Sequence, residues 1–111
     1  MMAVIVNETS VERALEWLRD NAVELGERKR EAVRADHMLK VERALAMKHS
    51  SENSAAAQER EALASESYLA AVNRAAEAAG QYETMRALRE AAALKIEVWR
   101  SEQANYRAMK V

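Results

Sequence analysis

The chain has 111 residues, enough for a single domain. Its 17 basic and 18 acidic residues leave a net charge of −1, which argues against both a strongly basic nucleic-acid protein and an acidic tail. With no cysteine it has no disulfide or thiol chemistry, and with no proline and only two glycines it has little to interrupt a helix.

Residues 1–6 are apolar but have neither a basic leading region nor a long apolar run, so a signal peptide is not expected. No stretch approaches the roughly 20 apolar residues of a membrane span. Thr9, Ser10, Val11 and Glu12 then read as a capping box, and Glu12 and Glu16 suit the positive end of a helix dipole. Val11, Leu15, Leu18, Ala22 and Leu25 recur at steps of four and three, one face of a helix. The stripe meets Lys29, resumes at Ala32 and Val33, meets Asp36, and continues through Leu39 and Met47. The pattern predicts one helix from about 10 to 48, with Gly26 inside it at a cost of about 1 kcal/mol relative to alanine.

Residues 49–54 are rich in serine and asparagine, which favour turns and caps, and are expected to form the loop. A short helix from about 55 to 64 follows, and Ser65, Glu66 and Ser67 offer a cap or a kink. A last helix is predicted from about 66 to 109. Its stripe is Tyr68, Val72, Ala75, Ala79, Tyr82, Met85, Leu88, Ala92, Ile96, Trp99, Gln103 and Tyr106, with a mean spacing near the coiled-coil value and an irregularity around Met85.

The expected fold is therefore all-α, one helical domain over residues 1–111, in which two long helices double back as an antiparallel coiled-coil-like hairpin. A turn that sets Lys48 beside Glu66 would place Trp17 opposite residues 97–99. Ala44, Leu45, Leu63, Leu69, Leu94 and Val98 form a second apolar edge that two helices alone leave uncovered, so a four-helix homodimer is expected.

Three constellations are candidates for function. Residues 27–49 hold seven basic residues, Arg30 and Arg34 among them, against four acidic ones, while residues 1–26 hold two against five. Such a basic stretch either follows a phosphate backbone or is a solvated face laced with ion pairs. Near the C-terminus, Trp99 and Tyr106 are seven residues apart, as are Arg100 and Arg107. Aromatic rings flanked by guanidinium groups suit single-stranded nucleic acid or a protein interface, or else the rings are core knobs with the arginines at their rim. Lys29 and Asp36 either set the register of a dimer or drift out to water. His37 and His49 lack metal-site spacing, and no phosphate loop or nucleophile motif occurs, so neither a metal, a cofactor nor an enzyme activity is expected.

Ala56, Ala57, Gln58, Glu59 and Arg60, together with Ile96, Glu97, Val98, Trp99, Arg100, Ser101, Asn105 and Arg107, resemble a group of small helical proteins of proteobacterial phages and prophages. The likeness extends over most of the chain from about residue 11. Proteins of that group tend to be encoded near recombination or replication genes. The resemblance implies an accessory role in DNA metabolism in the host cytoplasm, through a phage or host protein partner or through single-stranded DNA. It supplies no catalytic residue. A structural or scaffolding rod is the third expectation, and no membrane association is expected.

Overall fold

The computed structural model describes residues 6–110, so the apolar start read above lies almost wholly outside the described residues. All regular structure among them is helical: α1 (Glu8–Lys48, 41 residues), α2 (Ala55–Leu63, 9 residues) and α3 (Glu66–Met109, 44 residues).

Each start has a local cause. Helix α1 is capped by Asn7 rather than by Thr9 or Ser10: its Oδ1 accepts from the Ser10 amide at 2.8 Å. The asparagine carbonyl satisfies a donor that the first turn would otherwise leave open. Ser54 caps α2 by accepting from the Ala57 amide at 3.1 Å. Ser65 ends one helix and begins the next. Its hydroxyl donates to the Ala62 carbonyl at 2.6 Å and accepts from the Tyr68 amide at 3.2 Å. In the loop, Ser50 donates to Glu61 at 3.0 Å, and Gln58 donates to the Glu52 carbonyl at 3.0 Å.

The chain divides into two compact units, one of Gly26–Glu83 and the other of Met1–Leu25 with Thr84–Val111. In the first, α1 and α3 run antiparallel: Arg28 donates to Gln81, and Arg74 pairs with Glu42 at 4.0 Å. Helix α2 is tied to the end of α1 by Arg43 and Glu59 at 3.6 Å. In the second unit, Arg13, Ala14 and Trp17 of α1 share a cleft of about 220 Å³ with Leu88, Ala91, Ala92 and Lys95 of α3.

Trp17 therefore meets residues 88–95 rather than 97–99, a slip of one to two turns from the expected pairing. Helix α2 explains the slip. It occupies the flank of α1's last turns, so α3 begins alongside an earlier part of α1 than a closed turn at Lys48 and Glu66 would give.

The seam keeps part of the expected stripe, Val11, Leu18, Leu25, Ala32 and Leu39 on α1 and Tyr68, Ala75, Tyr82 and Met85 on α3, and takes its other positions from different residues. On α1 the seam runs through Val11, Ala14, Leu18, Asn21, Leu25, Arg28, Ala32, Ala35, Leu39, Glu42 and Ala46 in alternating steps of three and four, with Trp17, Met38, Arg43 and Met47 half-buried at its sides. On α3 they begin Tyr68, Ala71, Ala75, Ala78, Tyr82 and Met85. Leu15, Val72 and Ala79, expected inside, are exposed, as are Lys29 and Asp36. The stripe does not meet Lys29 and Asp36, because Arg28 and Ala35 take those places one residue earlier. Among the described residues the buried apolar set is Val6, Val11 and six alanines, and no leucine, isoleucine or tryptophan reaches full burial. An alanine methyl contributes on the order of 0.8 kcal/mol when buried, against about 1.5–3 kcal/mol for a leucine side chain. The larger residues Leu15, Val33, Leu45, Leu69 and Leu94 face outward instead.

Candidate interaction face

Charge is arranged unit by unit. The basic part of α1 in the Gly26–Glu83 unit faces a partner segment, residues 50–83, with six acidic residues and two basic ones. In the other unit the acidic start of α1 is matched by residues 84–110, with six basic residues against three acidic ones. Opposite charge across each helix pair favours the antiparallel pairing over a parallel one. The basic stretch of α1 thus has a structural role in each of its named contacts. Arg28 meets Gln81, Arg43 meets Glu59, and Arg30 pairs with Glu27 on its own helix. Arg34 borders a cleft of about 170 Å³ with Glu31, Ala35, Met38, Ala71 and Arg74, where a carboxylate offsets two guanidinium groups.

The aromatic–arginine constellation lies on α3 in the other unit. An open groove of about 530 Å³ is lined by Glu97, Trp99, Arg100, Ser101, Gln103, Ala104 and Arg107. Helical spacing brings these together, because positions three, four and seven apart share a face. Trp99 is half-buried and lines the groove. Arg100 and Arg107 are exposed, and Glu97 holds Arg100 at 3.0 Å. Tyr106 does not join this lining. It is exposed, with the Lys110 ammonium 4.6 Å from its ring centre.

So Trp99, Arg100 and Arg107 share a site, Tyr106 stands beside it, and Arg30 and Arg34 belong to the other unit. Sequence reasoning named Glu97 in the run around Trp99 without giving it a role, and it passed over Lys110. Both were available as helical neighbours, Glu97 three residues before Arg100 and Lys110 four residues after Tyr106. It also overlooked the polar seam residues Arg28 and Glu42, because the stripe was traced one residue to the side.

Among the described residues no cluster of three or more histidine, cysteine or acidic side chains is placed to hold a metal ion. None of the described helices is long and apolar enough to cross a membrane. No protein-family model, curated protein or solved structure matches the chain.

Proposed function

We propose that this is a non-enzymatic accessory protein of phage DNA recombination or replication, working in the host cytoplasm by binding a phage or host protein. The observation that carries the reading is the inverted placement of bulk. Six alanines and two valines make up the buried set of the described residues, while Leu15, Val23, Leu69, Leu94 and Tyr106 stand more than half exposed. Exposed apolar and aromatic side chains on a helical surface are what a protein partner buries, and a net charge near zero suits that partner better than a polyanion. The resemblance to small phage proteins supplies the setting. Affinity capture from host lysate tests it. The expected outcome is a stoichiometric protein that nuclease does not release and that Tyr106→Ala with Arg107→Ala greatly reduces. Loss of all capture on nuclease treatment overturns the reading.

A second reading, weak binding of single-stranded DNA, is favoured by one observation: Trp99, Arg100 and Arg107 border a common groove. Stacking on an indole between guanidinium groups is a known mode for single strands. Glu97 opposes it by occupying Arg100. Fluorescence anisotropy at low salt distinguishes the two readings, since nucleic-acid binding must fall steeply as salt rises.

A further inference from the structure

Helix α1 turns its seam toward α3 and carries a second apolar lane on its outer side. Leu15, Val23, Val33 and Val41 are 52%, 77%, 48% and 44% exposed. At 100° per residue they fall within about 80° of one another around the helix, on a lane where they alternate with exposed Glu12, Arg19, Arg30 and His37. Gly26 lies in the same lane, and a methyl group added there would meet nothing within 4 Å. Among the described residues this lane stays open to solvent.

The charge along α1 says what covers it. The part before Gly26 carries five acidic residues and two basic ones, and the part after it carries seven basic and four acidic. We propose that the outer face of α1 binds a second copy of this chain, α1 against α1, antiparallel about a two-fold axis. That arrangement lays each acidic part on the other copy's basic part, whereas parallel pairing would set like charge on like. In the register that aligns the apolar lane, Leu15 faces the partner's Val41 and Val23 faces the partner's Val33. The same register brings Glu8 toward the partner's Lys48 and Glu16 toward the partner's Lys40. The contact takes Leu15, Val23, Val33 and Val41 out of the exposed apolar set and leaves Leu69, Leu88, Leu94 and Tyr106 of α3, with the groove beside Trp99, to the proposed protein partner, so the two are tested separately.

Sedimentation equilibrium on the intact protein tests the proposal. At tens of micromolar the mass should be twice the 12.5 kDa of one chain. Val23→Lys sets an ammonium against the partner's basic stretch and should weaken the dimer at least about tenfold. Val23→Glu, at the same exposed site, should keep it, and circular dichroism should show both variants as helical as the parent. The chain has no cysteine of its own, so thiol cross-linking adds a geometric readout. A mixture of Val23→Cys and Val33→Cys chains should oxidise to a mixed disulfide, and Val23→Cys alone should not dimerise covalently. A one-chain mass at high micromolar concentration overturns the proposal. So do equal dimer constants for the two charged variants, or a disulfide formed by Val23→Cys alone.

Discussion

Single residues decide where these helices begin and how they register. Asn7, Ser54 and Ser65 each close the first turn of a helix with one side-chain oxygen. Asn7→Ala should lower the unfolding free energy by about 1 kcal/mol, read from urea denaturation, because it strands an amide at the start of α1. Ser10→Ala, which removes a hydroxyl the cap does not use, should change it little. A larger loss from Ser10→Ala than from Asn7→Ala would reassign the cap. Register depends on the polar members of the seam. Arg28 and Glu42 find their partners Gln81 and Arg74 across the helix pair, so only one alignment satisfies both. Lys29, next to Arg28, and Asp36, next to Ala35, stand in solvent and take no part in that alignment.

The long helices illustrate what a sequence discloses and what it conceals. Helix content, the loop and the short middle helix were legible because proline is absent, glycine is scarce, and serine and asparagine are concentrated between residues 49 and 54. The seam was only half legible. Val11, Leu18, Leu25, Ala32 and Leu39 do lie inward, but the alternate positions were misread. Weighing Leu15 above Ala14, or Val72 above Ala71, assumes that the larger apolar residue is the buried one. Here the backbones pack through alanine, and size points the wrong way. The groove at the end of α3 was legible because Trp99, Arg100 and Arg107 share one helix, whose spacing alone gathers them. The tryptophan pairing was not, because it depends on where α2 lies. A pair of substitutions on α3 checks the assignment. Ala71→Leu should cost about 1–3 kcal/mol through overpacking at a site 2% exposed. Val72→Ala should cost less, about 0.5 kcal/mol, since Val72 is 37% exposed and alanine is the better helix former. Thermal or urea unfolding of the two variants gives the order, and the reverse order would restore the stripe read from the larger side chains.

For the whole molecule, the net charge of −1 conceals four segments of alternating sign, each set against its opposite within a unit. The named ion pairs are mostly well exposed, so each contributes little alone. Their shared sign pattern still favours the native alignment. Raising salt from roughly 0.05 to 0.5 M should therefore lower the unfolding free energy, by no more than about 1 kcal/mol. A clear rise in stability with sodium chloride would show that the segments repel rather than attract. The alanine seam carries one further consequence, for how such a protein can change. Enlarging an inner methyl disturbs the backbone, whereas the bulky groups sit where exchange leaves the helices as they are. A lineage built on this plan can trade its outer leucines and valines for others, and so acquire new binding tastes, while the scaffold beneath keeps its path.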